Sequence, residues 1–224
     1  MKLSSNTTMV LKNFATINQN LVIKEGSELL TMSSMKNIVA KATVEENFPK
    51  EIAIYDLNEF LASLSIFKSP VLEFEEQYLT IKEEDQPHKK LTYFYSDPSV
   101  VQSPTKTITM PSEEVKFHLD MNKLLEMKRA AGVIGSPDMV LQKSSGNSSL
   151  LVKDKKNDTA NNYSSDISTD GDGEYKFFFK VENLKLFDGD YDVKISSKNI
   201  SHFKNDKSNI EYWIALEPES TYSA

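Results

Sequence analysis

Few residues of this 224-residue chain have the type and spacing that catalysis or metal binding requires. The three histidines, His88, His118 and His202, have no second histidine or carboxylate at metal-ligand spacing. The absence of cysteine excludes disulfides, thiolate metal sites and thiol nucleophiles. Seven glycines and no Walker A, G-x-G-x-x-G or G-x-S-x-G motif leave little material for a phosphate-binding loop or a nucleophile elbow. We therefore predict no catalytic residue, no metal, no cofactor and no small-molecule substrate, and expect that the protein is not an enzyme.

The basic residues carry more information, because all but one of the 26 are lysine. Proteins that read base edges rely on arginine, whereas lysines suit sequence-independent contact with phosphates. A net charge of −7 argues against a protein that holds nucleic acid by overall positive charge, but it permits a local basic surface. Five basic residues lie on predicted helices: Lys12, Lys123, Lys128, Arg129 and Lys185. For any one of them alone, an ordinary solvated helix face is the alternative.

Helical spacing marks four short segments. Val10, Leu11, Phe14 and Ile17 recur with helical period over about residues 5–19. Asp56, followed three residues later by Glu59, resembles a capping box before a second helix. Asp120 is suited to cap a third helix that runs to about residue 131, and residues 182–187 are predicted to form a short fourth helix that contains Lys185.

Strand-like alternation occupies most of the remaining chain. The order strand, helix, three strands appears about four times, twice before and twice after a proline-containing stretch at residues 96–112. We therefore predict an α+β fold with a domain over residues 1–95, a linker over 96–112 and a domain over 113–224. With so few helices, their apolar stripes must pack on one face of the sheets, which leaves the polar stripes on a shared exposed surface. No apolar run is long enough to span a bilayer, so we expect a soluble cytoplasmic protein without membrane partners.

Several segments resemble the sliding clamps of T-even-like tailed phages, which are similar to proliferating cell nuclear antigen. The resemblance covers essentially the whole chain and is most specific at its start. The matching blocks are Lys2-Leu3-Ser4, Thr7-Thr8, Leu11-Lys12-Asn13-Phe14-Ala15-Thr16-Ile17-Asn18, Ala53-Ile54-Tyr55-Asp56-Leu57-Asn58 with Phe60-Leu61, Gly189-Asp190-Tyr191, and Ala215-Leu216-Glu217 with Ser220-Thr221. Residues 142–169 match only in their strand rhythm.

The resemblance implies a fold and a function. Clamps of this family have two similar domains per subunit and form a trimeric ring whose helices line a hole for duplex DNA. An ATP-driven clamp loader opens the ring, and the clamp tethers DNA polymerase without catalysing a reaction. The resemblance also implies a role in phage late transcription, in the cytoplasm of an infected bacterium.

The same resemblance suggests where the functional residues lie. Lys12, Lys123, Lys128, Arg129 and Lys185 are expected to face the hole. A subunit interface is expected at the edge of the first domain's sheet, at Tyr78, Leu79, Thr80 and Ile81, for which an internal strand is the alternative. Residues 149–154 are expected to form the opposing edge. A pocket for partner peptides is expected between the linker and the carboxy-terminal segment, formed by Val100, Val101, Ile108, Trp213, Ala215, Leu216 and Pro218. For Trp213 a core position is the alternative.

Two other classes of function remain open. One is a non-catalytic viral oligomeric scaffold or protein-binding module without DNA dependence, on which the basic helix faces would be accidental. The other is an enzyme on a repeated sheet fold, which the missing catalytic constellations disfavour. The exposed stripe of the second helix, with Asn58, Ala62 and Ser65, carries no positive charge and weakens the DNA-binding hypothesis for that quarter of the chain.

Overall fold

The computed structural model describes residues 1–104 and 108–223, and the chain divides into two units, Met1–Thr107 and Ile108–Ala224. Part of the predicted linker, residues 105–107, lies outside the described residues. The described residues contain three α-helices and sixteen strands, and the strand pairs within each unit are antiparallel. This matches the predicted α+β class, with few helices and many strands.

The first unit contains two sheets and two helices. Its strands are ordered β4-β1-β2-β3 in one sheet and β5-β6-β7 in the other. The elements are α1 (Ser5–Ile17), β1 (Leu21–Ile23), β2 (Gly26–Met32), β3 (Ile38–Phe48), β4 (Ile52–Ile54), α2 (Leu57–Ser65), β5 (Pro70–Phe74), β6 (Tyr78–Glu83) and β7 (Gln86–Phe94).

The second unit follows the same plan with one helix. Its strands are ordered β15-β14-β13-β8 and β11-β10-β9-β12-β16. The elements are β8 (Val115–Leu119), α3 (Met121–Ile134), β9 (Asp138–Ser144), β10 (Asn147–Lys153), β11 (Tyr163–Asp166), β12 (Glu174–Lys180), β13 (Tyr191–Ser196), β14 (Ile200–Asn205), β15 (Ile210–Ala215) and β16 (Thr221–Ser223).

Each helix begins at a side-chain cap. Ser4 Oγ accepts a hydrogen bond of 3.1 Å from the Thr7 amide at the start of α1. Asp56 Oδ1 accepts from the amides of Asn58 and Glu59, at 2.9 and 3.1 Å, at the start of α2. The caps that the sequence predicted at Asp56 and at Asp120, the start of α3, are thus confirmed.

Helix α3 runs three residues beyond its predicted end. It stops at Gly135, which takes the left-handed conformation (φ 67°) that favours glycine after a helix. The amide of Ser136 then donates to the Ala131 carbonyl at 2.9 Å, which satisfies one of the last free carbonyls.

The prediction of a helix at residues 182–187 was wrong. Only a 3₁₀ turn, Val181–Asn183, forms there. Leu184 and Leu186 are both buried, while Lys185 between them is half-buried. The two leucines therefore enter the core from a segment without regular secondary structure, and Lys185 lies on that segment instead of on a helix. The first of the four repeats also departs from the plan, because it opens directly with α1.

The helices bury one stripe each. Val10, Leu11 and Phe14 of α1 are fully buried against β2, β3 and α2. Leu124 and Met127 of α3 are buried against β9, β10 and β11. Within each unit the helices therefore lie on one side of the strands, and their opposite faces remain exposed.

Candidate functional site

Lys12 lies on the exposed face of α1. It follows fully buried Leu11, and the 3.6-residue period turns it away from the core. No carboxylate of the described residues lies within ion-pair distance of its ammonium group. The side chain is therefore available to an external anion such as a phosphate.

Helix α2 has an exposed face without positive charge, as the sequence indicated. Asn58, Ala62 and Ser65 are all exposed, and Ile66 at the carboxy-terminal cap is 68% exposed. The face is small, neutral and partly apolar, so it offers no contact of opposite charge to a nucleic acid.

Lys123 on α3 is held by the neighbouring strand β11. Its Nζ donates to Ser165 Oγ at 2.5 Å and lies 3.4 Å from Glu126 Oε2. The Tyr163 hydroxyl donates to Glu126 Oε1 at 2.5 Å, and this bond, followed by the Lys123 charge, lowers the pKa of Glu126. These four side chains join the helix to the strand, and we call them the α3–β11 network. Lys123 is thus already partnered within its own unit.

Lys128 and Arg129 differ in solvent exposure although they are consecutive. Arg129 is exposed on α3, whereas Lys128 is half-buried. Burial lowers the pKa of the Lys128 ammonium, and the negative charge of Asp188 opposes that shift only in part. Of the basic residues predicted on α3, Arg129 is therefore the one whose charge is fully presented to solvent.

The predicted subunit-interface strand is not an edge strand. Tyr78, Leu79, Thr80 and Ile81 lie on β6, which pairs with β5 on one side and β7 on the other. The edge of this sheet is β7. Likewise, residues 149–154 fall largely on β10, which lies between β9 and β11, so β11 is the edge strand there. Both edge predictions were wrong by one strand.

Sequence signals for the true edge at β7 were present but were missed. Near the start of this strand lie Pro87, His88, Lys89 and Lys90, all exposed. Proline and lysine are typical of edge strands, because proline cannot donate to a ladder and lysine discourages unwanted pairing.

Other sheet edges are covered by segments of the same unit. Met1 exchanges two backbone hydrogen bonds of 2.7 Å with Leu72 of β5. Asp170 exchanges two with Lys116 of β8, at 2.7 and 2.8 Å. On β4, the Ser96 amide donates to the Ala53 carbonyl at 2.9 Å. No segment of the described residues pairs in this way with the outer edge of β7 or of β11.

The predicted peptide-pocket residues of the first unit face in opposite directions. Val101 packs with Val22 and Ala53 and is only 7% exposed, whereas Val100 is exposed. Val100 therefore presents an apolar side chain to solvent, and Val101 anchors the segment that carries it.

In the second unit, Trp213 lies on the side of β15 opposite to the buried Tyr212 and Ile214. Its ring stacks on His202, with centroids 4.9 Å apart, and His202 Nε2 lies 2.8 Å from Glu211 Oε2. The indole is half-buried, so part of it remains open to a ligand. Of the other predicted pocket residues, Pro218 is exposed, Ala215 and Ile108 are half-buried and Leu216 is buried.

The carboxy-terminal segment is an integrated part of the second unit. Residues 217–223, which we call the strap, cover the edge of β12 through the strand β16. The Glu217 amide donates to the Phe178 carbonyl at 2.9 Å. Lys155 Nζ donates to Glu217 at 2.7 Å and to Glu219 at 2.9 Å, so two ion pairs hold the strap.

Among the described residues, no group of three or more histidine or carboxylate side chains is placed to hold a metal ion. No helix formed by these residues has the length and apolar character needed to cross a membrane.

The sequence matches two family models, one in each half. Residues 2–101 match the model described as DNA polymerase processivity factor, and residues 116–218 match that described as gp45 sliding clamp, C terminal. The sliding clamp of Vibrio phage KVP40 is 33% identical, over 97% of this chain and 99% of that protein. The sliding clamp of Enterobacteria phage T4 is 29% identical, over 99% of both chains.

Solved structures show the same fold at low identity. Proliferating cellular nuclear antigen from Entamoeba histolytica superposes with a TM-score of 0.68 at 12% identity, covering 96% of this chain and 97% of that one. The PCNA2–PCNA3 complex from Sulfolobus tokodaii gives a TM-score of 0.67 at 11% identity, with 96% of both chains covered. The predicted clamp fold with two similar domains is confirmed, and the chain belongs to the sliding clamp family.

Proposed function

We propose that three copies of this chain close into a ring around duplex DNA and tether a DNA polymerase to it. The observation that carries the ring is the pair of uncovered sheet edges, β7 in the first unit and β11 in the second, in a member of the sliding clamp family. An edge strand exposes a row of unpaired backbone donors and acceptors, which a second chain can pair. Since the two edges lie in different units, pairing is head-to-tail, and three such contacts close by rotation.

Charge favours antiparallel pairing of the two edges. Lys89 and Lys90 lie in the amino-terminal half of strand β7, and β11 ends with Asp166. In an antiparallel pair the start of β7 lies beside the end of β11, so the basic end meets the acidic one. Parallel pairing would separate them.

Contact with DNA in this proposal is weak and independent of base sequence. Lys12 and Arg129 are exposed on helices in the two units, and each can neutralise a phosphate. Lys128 and Lys185 are half-buried and contribute mainly to the local potential. A closed ring stays on DNA by topology, so a few loose phosphate contacts retain it without preventing sliding.

Partner proteins complete the proposed function. An ATP-driven clamp loader opens the ring, the polymerase docks a short peptide, and the same docking supports phage late transcription in the cytoplasm of the infected bacterium. The half-exposed Trp213 beside exposed Pro218 offers an aromatic and apolar surface for such a peptide.

Topological binding to DNA tests the proposal directly. The protein is cross-linked in the presence of a nicked circular plasmid and then passed over a sizing column at high salt, which removes electrostatic contacts. We expect a fraction of the protein to remain with the circle and to be released when a restriction enzyme linearises it. Equal retention before and after linearisation would contradict encirclement of the DNA. No retention on the circle would contradict the ring and favour a scaffold without DNA dependence.

A further inference from the structure

A small pocket lies between helices α1 and α2 and opens on the exposed helix face of the first unit. It has a volume of about 170 Å³. Leu64 and Leu72 are buried and form its floor, and the half-buried Leu61 lies at its side. Thr8 and exposed Lys12 line it from α1, one helical turn apart. The pocket is therefore an apolar site with one positive charge at its mouth.

The polar groups around the pocket define what it can bind. Thr8 Oγ1 donates to the Ser4 carbonyl at 3.0 Å, and Ser65 Oγ donates to the Ala62 carbonyl at 2.7 Å, so both hydroxyl hydrogens are used within their own helices. Among the described residues, no carboxylate lies within ion-pair distance of the Lys12 ammonium. A matching ligand has an apolar body joined directly to a negatively charged group.

The backbone of DNA has this chemistry. Each phosphate carries a negative charge and is bonded on both sides to a deoxyribose, whose C2′ is a methylene group without a polar atom. Lysine lays its alkyl stem along apolar surface and keeps its ammonium group in water. A phosphate at the Lys12 ammonium therefore has an adjoining sugar beside the pocket. The volume suits one sugar ring and is too small for a base pair.

We propose that this pocket receives one deoxyribose of the duplex while Lys12 pairs with the adjoining phosphate, and that it thereby distinguishes DNA from RNA. A ribose brings its 2′-hydroxyl against Leu61, Leu64 and Leu72, where the hydroxyl loses water without gaining a partner. The 2′-hydroxyl is the group by which a protein tells the two nucleic acids apart at a given site.

The inference rests on the proposed passage of DNA through the ring and adds a sugar contact to it. It also gives helix α2 a part in that contact, because Leu61 and Leu64 of this helix form apolar lining although its exposed face carries no positive charge. One sugar contact is broken and remade as the ring moves, so retention on DNA still depends on topology.

Three duplexes of one base sequence test the sugar site: DNA, RNA, and RNA in which fluorine replaces every 2′-hydroxyl. The two RNA duplexes share the A-form helix, so a difference between them reports the hydroxyl and not the shape of the duplex. Affinity is measured by fluorescence anisotropy at low salt. We expect wild type to bind the RNA duplex about three- to tenfold more weakly than the fluorinated one, because a hydroxyl is buried without a partner. Equal affinity for these two duplexes overturns the inference.

The variant Leu61→Asn places the discrimination in the pocket. Its amide offers the 2′-hydroxyl a hydrogen-bond partner, so we expect the two RNA duplexes to bind it with equal affinity. The matched control is Ala62→Asn, a change at the next residue of α2, which is exposed and does not line the pocket. We expect the control to discriminate like wild type. Circular dichroism and the urea midpoint confirm that both variants are folded.

The remaining outcomes separate this inference from the proposed function. Discrimination that persists in Leu61→Asn, or is lost equally in Ala62→Asn, overturns the assignment to this pocket and leaves the ring intact. A wild-type protein that prefers the fluorinated duplex but is not released from a circle by linearisation keeps the sugar site and overturns the ring.

Discussion

At the scale of single residues, Glu46 shows how a charged side chain is used within a core. It occupies a core-facing position of β3, next to buried Val44 and Phe48 in the alternation of the strand. Its carboxylate accepts hydrogen bonds from the Ser4 amide and the Thr7 hydroxyl at the start of α1. Burial alone would raise the pKa of Glu46, but these bonds together outweigh it, and the pKa lies below its ordinary value of 4.5.

The lowered pKa of Glu46 predicts a pH-dependent contribution to stability. Because the folded-state pKa lies below the unfolded value, the stabilisation is present above about pH 4.5 and is lost as the pH falls through the folded-state pKa. We expect Glu46→Gln to lower the free energy of unfolding by about 1–2 kcal/mol at pH 7. In urea unfolding, the difference from wild type should shrink below pH 4.5. The exposed neighbour Glu45→Gln is the control, and a difference that persists unchanged in acid would contradict the assignment.

Lys12 and Arg129 predict the salt dependence of DNA binding. Each neutralised phosphate contributes about one unit to the slope of log affinity against log salt. The double variant Lys12→Gln, Arg129→Gln is therefore expected to lower that slope by about two while the trimer mass is unchanged. Fluorescence anisotropy with a labelled duplex at several salt concentrations measures it. The exposed Lys156→Gln serves as control, and a slope equal to wild type in the double variant would remove both residues from the DNA surface.

At the scale of elements, the strap changes how the carboxy-terminal segment should be tested. A truncation after Ala215 removes the ion pairs to Lys155 and the strand that covers β12. Such a protein would lose polymerase binding through damage to its second unit, whatever the role of the tail. Substitution of Trp213 by Leu tests the peptide surface without removing the strap.

Deletion of residues 221–223 alone isolates the effect of β16. It removes three ladder positions on β12 and the stacking of Tyr222 on Phe177, whose ring centroids are 6.4 Å apart. We expect the free energy of unfolding to fall by about 1–2 kcal/mol, since exposed backbone amides and one aromatic contact are lost. Hydrogen exchange by mass spectrometry should show faster exchange in peptides that span residues 174–178. Unchanged exchange there would show that β16 contributes nothing to the edge.

At the scale of the whole molecule, the arrangement of sheet edges decides how copies can assemble. Segments of the same unit cover β4, β5, β8 and β12, which removes those edges from intermolecular pairing. The outer edges of β7 and β11 have no such cover within the described residues. In the proposed ring, head-to-tail pairing of these two edges satisfies their backbone groups.

Engineered cysteines test which strand meets β11 in a second copy. The natural chain has no cysteine, so a pair introduced at Thr92 of β7 and Ser164 of β11 is the sole target of a short bis-maleimide. We expect Thr92→Cys, Ser164→Cys to give linked dimers and trimers on a denaturing gel. The control pairs Thr80→Cys with Ser164→Cys, because Thr80 lies directly opposite Thr92 but on the internal strand β6. Linking of the Thr80 pair in preference to the Thr92 pair would restore the interface expected from the sequence.

Local patterns in the sequence determined the elements of this protein. Side-chain caps at Ser4, Asp56 and Asp120 and the apolar period of each α-helix depend on residues within a few positions of one another, so the chain itself reveals them. The absence of catalytic and metal-binding motifs and the family resemblance are also properties of the sequence. At Leu184 and Leu186 the predicted helix was wrong, because periodicity over so few residues does not determine the local structure.

Tertiary structure decided which strands lie at sheet edges and which basic side chains are exposed to solvent. An edge strand is one that has no paired strand on one side. Which segments pair, as β6 does with β7 and Met1 with Leu72, depends on contacts between separate parts of the chain. The role of Lys123 depends on Ser165, 42 residues away, and that of Glu46 on the start of α1. Hydrogen bonds and burial between remote residues follow from packing, which the sequence order does not display, and they determine which charges can reach DNA and which surfaces can meet a second copy.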